Sequence, residues 1–404
     1  MLYANLDSGL ANKADELSAL FSERNPDIVI FNEVLPKRTR VKRKLTEKDF
    51  HIDGYEFVIR SITEGRGVII YFKQCFNIQS VDILTTLNFE ESIWIRIKLV
   101  GCDSLLVGNI YRSPSSTKEN NDMLNAVLEK AVSQNDTHLL LVGDFNFGGL
   151  NWELLQSNES SDHSSSTFME KTKDLFLYQH VEETTRHRMG QSPSRLDLLF
   201  TNEVGMINDL EYLPPIGASD HVCLVFKFIC YTETKMAEDP RPNFFKGNYS
   251  AMKEDFNQTS WKDVDSANIE TFWENFLVTI NSAIDKHVPK VKLSKKCKKK
   301  PWLNRDSIVA IQKKKSAWKK YIHCKTDTNF QRYAEFRNKA TRACRLARKM
   351  FETEIACNIK TDSKSFWNYV RSKSKTRTGI GDLESESLLT TDRQKAELLN
   401  SFFL

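Results

Sequence analysis

The chain has 404 residues, of which 40% are hydrophobic, so it is long enough for two or more globular domains. Its net charge of +5 is unevenly distributed: residues 1–230 carry −9 (23 Lys and Arg against 32 Asp and Glu), and residues 231–404 carry +14 (35 against 21). A basic second half favours a polyanionic partner, DNA or RNA, and no apolar run approaches the roughly 20 residues of a membrane-spanning helix.

The first 230 residues alternate between short apolar segments and amphipathic ones. The amphipathic segments predict helices at 11–23 and 120–133, where apolar residues recur on one side. The apolar segments predict strands at 1–6, 27–31, 55–61, 67–73, 92–100, 105–112, 139–142, 194–202 and 221–229. Because strands outnumber helices, we expect an α/β fold in which two packed sheets are flanked by helices.

Composition changes near residue 231. Residues 232–243 form a polar, proline-bearing stretch that is typical of a linker, and a helix is predicted at 261–283. Beyond a basic run at 290–303, apolar residues recur every three or four positions, which predicts long basic helices over 303–372. The chain is therefore divided into a first domain at 1–230, a linker with a helix and a basic run at 231–300, and a basic α-helical region at 301–404.

The eight cysteines are scattered, and none forms a C-x-x-C pair. Because several lie in apolar runs, we expect reduced thiols in an intracellular protein rather than a disulfide framework or a zinc site. No signal peptide precedes Leu2, and the lysine run KKCKKK at 295–300 is typical of a nuclear localisation signal or a nucleic-acid contact, although many such runs are only solvated. These features predict a protein of the nucleus.

Polar side chains stand at the end of strand after strand in the first domain. The clearest case is HLLLVGDFNFGGLNW at 138–152, where an extended chain would place Asp144 and Asn146 on one face, although Asp, Asn and Gly together also favour a turn. Comparable residues elsewhere are Asn5, Glu33, Tyr111, Arg112, Asp197, Ser219, Asp220 and His221. Carboxylates suit a hard divalent cation, and an imidazole, a phenol and an arginine suit a phosphate. The set therefore predicts metal-assisted hydrolysis of a phosphodiester.

Five motifs carry these residues in the order NPDIVIFNEV, GNIYRSP, LVGDFN, SRLDLLF and SDHVCLVF. As an ordered set they resemble the endonuclease/exonuclease/phosphatase superfamily over residues 1–230, and more closely the apurinic-type endonuclease of non-LTR retrotransposons of the jockey and chicken-repeat kind. KKPWLNRDS, FWNYVRSKSKTRTGIGDL and KAELLNSFF resemble, more loosely, the segment between endonuclease and reverse transcriptase in those elements. Because the reverse transcriptase follows at about this point in that family, we expect this chain to lack polymerase activity.

The resemblance implies a four-layer α/β sandwich of two mixed sheets flanked by helices, with the site at one end of both sheets. The residues that it assigns to Mg²⁺, or to Mn²⁺ in its place, are Glu33, Asn5 and Asp220. The residues that it assigns to catalysis are Asp144 and Asn146, which orient water, His221 with its partner Asp197, and Tyr111; contacts to substrate fall to Arg112 and Ser219. Whether Asp144 or His221 takes the proton is left open.

The leading hypothesis is a magnesium-dependent endonuclease that nicks target DNA in retrotransposition. Two alternatives remain open at this point: a phosphodiesterase of the same fold that acts on an inositol phosphate or a lipid, and an inactive retroelement fragment that only binds nucleic acid. A second open question is the basic loop PKRTRVKRK at 36–44, which either clamps the DNA backbone near the metal or is a solvated loop.

Overall fold

A computed structural model of the chain describes the following residues: 1–7, 9–10, 13–36, 47–60, 66–76, 78–81, 89–160, 163–230, 241–259, 269–291, 300–373, 383–384, 388–389, 396–398 and 400. Several features that the sequence singled out lie outside these residues, namely the basic loop after Pro36, most of the linker and the lysine run as far as Lys299. Within the described part of the chain, no helix combines the length and the apolarity that crossing a bilayer requires.

Eighteen strands and eight α-helices fall within the described residues. The strands are β1 (Leu2–Asn5), β2 (Ile28–Asn32), β3 (Tyr55–Arg60), β4 (Val68–Lys73), β5 (Ile78–Ser80), β6 (Ser92–Lys98), β7 (Ser104–Tyr111), β8 (His138–Asp144), β9 (Leu150–Asn151), β10 (Gln156–Ser157), β11 (Tyr178–Gln179), β12 (Asp197–Thr201), β13 (Ile207–Leu213), β14 (Cys223–Phe228), β15 (Arg241–Pro242), β16 (Lys290–Val291), β17 (Leu383–Glu384) and β18 (Leu388–Leu389). The helices are α1 (Ala14–Arg24), α2 (Lys118–Val132), α3 (Ser164–Asp174), α4 (Tyr249–Gln258), α5 (Ile269–His287), α6 (Arg305–His323), α7 (Asp327–Cys357) and α8 (Ser363–Lys373).

Two six-stranded sheets dominate the first domain, with strand orders β13-β14-β1-β2-β4-β3 and β11-β12-β8-β7-β6-β5. The two central strands of each sheet are parallel, so that Asn5 lies beside Asn32 in one sheet and Tyr111 lies beside Asp144 in the other. The antiparallel neighbours β14 and β12 begin at the same ends, because Ala4 pairs with Cys223 and Asp144 pairs with Asp197. Each sheet therefore gathers the polar residues of several chain segments at one edge.

The sheets pack face to face, and helices cover their outer faces. Tyr3, Ile30 and Val142 belong to the apolar core between the sheets, because alternate residues of each strand face inward. The neighbouring residues of the first sheet pack instead with Leu17 and Phe21 of α1, and those of the second sheet pack against α2 and α3. This arrangement confirms the four-layer α/β sandwich. Burial on both faces also explains why these strands read as unbroken apolar runs.

The sequence predicted most elements of this domain but missed two of the longer ones. The helix α3 has the sequence SSSTFMEKTKD, in which serine and threonine hide the apolar period that only Phe168 and Met169 maintain. The strand β13 is an edge strand with a register shift between Asn208 and Glu211, so it lacks regular alternation. Helix α2 begins two residues before the predicted bound, because the Thr117 side chain caps it by accepting a hydrogen bond from the backbone N–H of Asn120.

The basic helices of the second half pack on the first domain. Helices α6 and α7 form an antiparallel pair, and Trp318, Tyr321 and Tyr333 extend the core between the sheets. Ion pairs also join the two parts: Lys314 binds Glu16, and Arg348 Nη1 lies 2.7 Å from Asp15 Oδ1. The helical nature of this region is as predicted, but charge composition gave no indication of its close contact with the first domain.

Candidate active site

The polar ends of the central strands meet at a cleft of about 780 Å³. Seven of the ten residues that the sequence predicted for the site line this cleft: Glu33, Tyr111, Asp144, Asn146, Ser219, Asp220 and His221. The other three, Asn5, Arg112 and Asp197, are buried and form hydrogen bonds to lining residues. The structure therefore brings the predicted set together, although each member has its own environment.

Asp144 and Asn146 share the cleft for a different reason from the one that strand alternation suggested. Strand β8 ends at Asp144, and Asn146 adopts a left-handed backbone conformation with φ of 52°. The backbone N–H of Asn146 donates to Asp144 Oδ1 at 3.2 Å, and its side-chain Nδ2 donates to the carbonyl of Arg112 at 2.8 Å. The segment is thus a turn, as Asp and Asn favour, and this turn places both side chains at the site.

Asn5 holds two carboxylates together. Its Nδ2 donates to Glu33 Oε1 at 3.1 Å and to Asp144 Oδ2 at 2.8 Å, so one amide links the two sheets at the cleft. The Asn5 Oδ1 atom accepts the backbone N–H of Asp7 at 2.9 Å. As a metal ligand Asn5 stays a prediction, because its amide oxygen is occupied by this backbone contact.

Glu33 follows β2 and has a φ of 52°. A left-handed conformation is uncommon for a residue other than glycine, asparagine or aspartate, and such strain concentrates at functional sites. The conformation turns the chain out of the sheet while the side chain stays mostly buried in the cleft lining. Glu33 is therefore a strong candidate for a role that packing alone would not require.

His221 and Asp197 form a buried pair. The His221 Nδ1 donates to Asp197 Oδ2 at 2.8 Å, and the hydroxyl of Tyr3 donates to Asp197 Oδ1 at 2.7 Å. These two bonds fix the carboxylate and the ring plane. The opposite ring nitrogen, His221 Nε2, lies 4.0 Å from Asp144 Oδ2 and 3.7 Å from Asp220 Oδ1. One ring nitrogen, Nδ1, is thus anchored to Asp197, and the other, Nε2, is directed at the carboxylates of the cleft.

Burial and charge set the protonation of this pair and its neighbour. Burial alone would lower the pKa of His221, but the charge of Asp197 and the hydrogen bond to it raise that pKa to about 10. Burial raises the pKa of Asp144 to about 7, although the charge of His221 opposes the rise. His221 therefore favours its protonated form near neutral pH, and Asp144 accepts a proton more readily than an ordinary aspartate.

Backbone contacts hold His221 in this position. The N–H of Val222 donates to the carbonyl of Thr185 at 2.8 Å, and the N–H of His187 donates to the carbonyl of Asp220 at 2.8 Å. The N–H of His221 itself donates to Ser219 Oγ at 3.2 Å. The segment that carries Thr185 and His187 thus forms a backing for the imidazole of His221.

Arg112 and Ser219, predicted to contact substrate, instead make contacts inside the protein. The Arg112 guanidinium stacks 4.0 Å above the ring of Phe147, donates from Nε to Asn121 Oδ1 at 2.7 Å and reaches the carbonyl of Asn146 at 3.2 Å. The Ser219 hydroxyl donates to the carbonyl of Asn5 at 2.8 Å. These bonds brace the loops of the site, and a contact to substrate stays a prediction for both residues.

The chemistry of the cleft fits a hard divalent cation. Carboxylate oxygens of Glu33, Asp144 and Asp220 line it, and oxygen is the ligand atom that Mg²⁺ and Mn²⁺ prefer. Asp144, Asp197 and His221 also bring one potential ligand atom each within 4.8 Å of one another. Because the pair formed by His221 and Asp197 is already satisfied by hydrogen bonds, we regard the cleft carboxylates as the better donors.

Little in the sequence indicated that several arginines would line the cleft. Arg66 lines it and donates to Glu91 Oε1 at 3.2 Å, and Arg186 lines it and donates to Asp220 Oδ2 at 3.0 Å. Arg188 and, from α7, Arg337 also contribute to the lining. The sequence signal for Arg66 is weak, because this arginine lies between two glycines in the segment EGRGVIIY ahead of β4.

Comparison with protein families matches residues 2–221 of the chain to the Endonuclease/Exonuclease/phosphatase family. The chain belongs to this family. The match ends at His221, just before β14, and includes all ten residues that the sequence predicted for the site. The resemblance that the ordered motifs indicated is thereby confirmed at the level of the family.

Solved structures with a similar arrangement share little sequence identity with this family member. They include the endonuclease domain of TRAS1, a telomere-specific non-LTR retrotransposon, with 20% identity, a TM-score of 0.44 and coverage of 57% of this chain and 97% of that one. The AP endonuclease LMAP from Leishmania major has 13% identity and a TM-score of 0.46, with coverage of 56% and 87%. An AP endonuclease from Archaeoglobus fulgidus has 17% identity and a TM-score of 0.42, with coverage of 56% and 98%. No curated protein sequence gives a match.

Proposed function

We propose that this chain is a metal-dependent endonuclease that nicks DNA, of the kind found in non-LTR retrotransposons. The observation that carries the proposal is the buried pair of His221 and Asp197, which aims an imidazolium across the cleft toward Asp144. An imidazolium, a carboxylate of raised pKa and the carboxylate of Glu33 in one cleft suit hydrolysis of a phosphate ester.

The residues that would hold Mg²⁺ or Mn²⁺ are Glu33 and Asp220, with Asp144 beside them. A divalent cation bound there would neutralise part of the phosphate charge and so ease the approach of a nucleophile. The strained backbone at Glu33 and the amide of Asn5 between the two carboxylates keep these oxygens in place. The protein thus supplies a fixed arrangement of oxygen ligands.

The proton transfer falls to Asp144. Because Asp197 keeps His221 protonated, the ring has no lone pair to accept a proton, whereas Asp144 takes one readily near neutral pH. Asp144 would deprotonate a water that Asn146 helps to orient, and the water oxygen would bond to phosphorus. The bond between phosphorus and the ester oxygen would break, and the departing oxygen would take a proton from solvent. The Nε2–H of His221 would donate to a phosphate oxygen, where negative charge increases in the transition state.

DNA is the substrate that the charges around the cleft favour. The cleft lining carries the arginines Arg66, Arg186, Arg188 and Arg337, and the second half of the chain carries a net charge of +14. An extended polyanion would use such a distribution, whereas a small inositol phosphate needs only local contacts. The intact geometry at His221 likewise favours an active site over a fragment that only binds nucleic acid. Nicking of chromosomal DNA would place the protein in the nucleus.

Incubation of the full chain with supercoiled plasmid tests this proposal. We expect relaxed, nicked circles with Mg²⁺ or Mn²⁺, and no nicking in excess chelator. Parallel incubations with a soluble inositol phosphate and with a sphingolipid in vesicles should release no product. Hydrolysis of either of these without nicking of DNA would contradict the proposed substrate. Binding of plasmid without any hydrolysis would favour the inactive fragment.

A further inference from the structure

Helix α7 borders the cleft, although it lies outside the segment that matches the family. Phe330, Tyr333 and Arg337 of this helix line the same cleft as Glu33 and His221. These three positions are spaced by three and four residues, so they project from one face of the helix. The catalytic cleft of this chain is therefore bounded on one side by its basic second half.

An aromatic cluster fixes this helix relative to the catalytic residues. The Trp318 ring lies 4.8 Å from that of Tyr333 and 5.3 Å from that of His187, between centroids. His187 in turn donates its backbone N–H to the carbonyl of Asp220, next to His221. Because Trp318 and Tyr333 are each only 1% exposed, α7 rests on a packed base. The packing thus fixes the position of the cleft-facing side chains of α7 relative to His221.

Arg337 differs from the paired arginines of the cleft. Arg66 is paired with Glu91, and Arg186 is paired with Asp220. The guanidinium of Arg337 reaches only the amide oxygen of Asn338, at 3.3 Å, and no carboxylate among the described residues forms an ion pair with it. A half-buried cation that lines the cleft without such a partner is suited to binding an anion from outside.

Phe330 adds an apolar surface beside this cation. Its ring is half-buried, and it packs edge-on against Tyr321 with 5.2 Å between centroids and near Tyr333 at 6.0 Å. An aromatic ring held by other rings loses little side-chain entropy when it contacts a nucleotide. The combination of a ring and a guanidinium at one cleft wall is typical of surfaces that bind nucleic acid strands.

We propose that α7 forms a second wall of the DNA-binding cleft. Arg337 binds a backbone phosphate of the nicked strand beside the scissile one, and Phe330 packs against the adjacent nucleotide. This assignment deepens the proposed function and rests on it. It gives the basic second half a direct role at the site, in addition to any affinity that its exposed lysines and arginines provide.

Binding of a fluorescent DNA duplex to the full chain in excess chelator tests this wall without requiring cleavage. For Arg337→Gln we expect roughly tenfold weaker binding at low salt, and a log–log salt slope that is shallower by about 0.9, as for the loss of one phosphate contact. The matched control is Arg342→Gln, an exposed arginine on the same helix that does not line the cleft, and it should leave both quantities unchanged. Equal effects of both substitutions, or no effect of Arg337→Gln, would overturn the proposal.

Phe330→Leu provides a second, independent variant. Leucine keeps the apolar contact with Tyr321 and Tyr333 but removes the flat ring. We therefore expect about fivefold weaker DNA binding, with at most a small decrease in thermal stability. Unchanged DNA binding in a folded Phe330→Leu protein would refute the role of the ring. If Arg337→Gln and Phe330→Leu weaken binding to RNA but not to DNA, the assignment of this wall to DNA would also be overturned.

The outcomes separate this inference from the proposed function. If the wild-type chain fails to nick DNA while Arg337→Gln still weakens binding, the function proposed for the site fails and the wall is retained as a DNA contact. If the wild-type chain nicks DNA and Arg337→Gln changes neither binding nor its salt dependence, the function is retained and the wall is rejected. Absence of DNA binding by the wild-type chain would refute both.

Discussion

At the scale of single residues, the proposed hydrolysis depends on the coupling between His221 and Asp197. The hydrogen bond of 2.8 Å and the charge of Asp197 keep the imidazole protonated and oriented. We expect Asp197→Asn to slow nicking by roughly 10²–10⁴-fold with little change in DNA binding, because the ring remains but loses its charge and its orientation. Single-turnover nicking at saturating Mg²⁺ measures this loss.

Two further variants make the test of this pair specific. His221→Ala should lose at least as much activity, and the double variant should be scarcely worse than His221→Ala alone, since the two residues act as a unit. Tyr3→Phe removes the bond to Asp197 Oδ1 and the hydrogen bond that the Tyr3 hydroxyl accepts from Asn32 Nδ2, and it should cost less than Asp197→Asn. Fully multiplicative losses in the double variant would show that the residues act independently.

How well the sequence predicts a site residue depends on where that residue lies in the fold. Asp144, Asp197 and His221 were found because ordered motifs surround them at strand ends. Of the two conformations that the sequence allows around Asn146, an extended strand end and a turn, the structure has the turn, with a left-handed Asn146. Arg337 could not be assigned to the cleft, because a helix pattern shows which face is buried but not which distant segment that face meets.

At the scale of elements, helix α6 is the base on which the cleft wall rests. Trp318 is 1% exposed and packs against His187, whose backbone supports the Asp220 and His221 segment. Trp318→Ala would leave a large cavity, so we expect a loss of about 3–5 kcal/mol in the free energy of unfolding. We also expect slower nicking, because the backing of the site would shift. Urea denaturation and single-turnover nicking measure the two effects.

An exposed tryptophan of the same half serves as the control. Trp367 on α8 is 54% exposed, and Trp367→Ala should change the free energy of unfolding by less than about 1 kcal/mol. Similar losses for both tryptophan variants would contradict the packing described for Trp318. Stability lost at Trp318 with full nicking activity would show that the contact with His187 does not support catalysis.

The sequence predicted elements better than their packing. The apolar stripe of α7 was visible from its spacing, and Tyr333, Ala340, Cys344 and Ala347 are indeed buried. Helix α6 and Trp302 bury much of this stripe, and α1, which lies far away in sequence, also contacts α7. Neither spacing nor composition encodes the contact with α1. Helix α3 was missed because its few apolar residues leave too weak a period.

At the scale of the whole molecule, a boundary near residue 231 stays a prediction. The change in charge supports it, but Trp318 and Tyr321 join the hydrophobic cluster that includes the core between the sheets, and Arg348 pairs with Asp15 of α1. We therefore expect a chain of residues 1–230 to unfold at a lower temperature and to nick more slowly than a chain of residues 1–373. Calorimetry and plasmid nicking compare the two chains. Equal melting temperatures and rates would show that the first domain is self-sufficient.

We propose that the cleft hydrolyses DNA with the help of a divalent cation held by Glu33. The most direct measurement is plasmid nicking by the wild-type chain, by Glu33→Gln and by Glu56→Gln, an exposed glutamate of β3 that serves as the matched control, each with Mg²⁺ and with excess chelator. We expect nicking by the wild type and by Glu56→Gln with Mg²⁺ only, and none by a folded Glu33→Gln. Wild-type nicking in excess chelator, or full activity of Glu33→Gln, would contradict the claim.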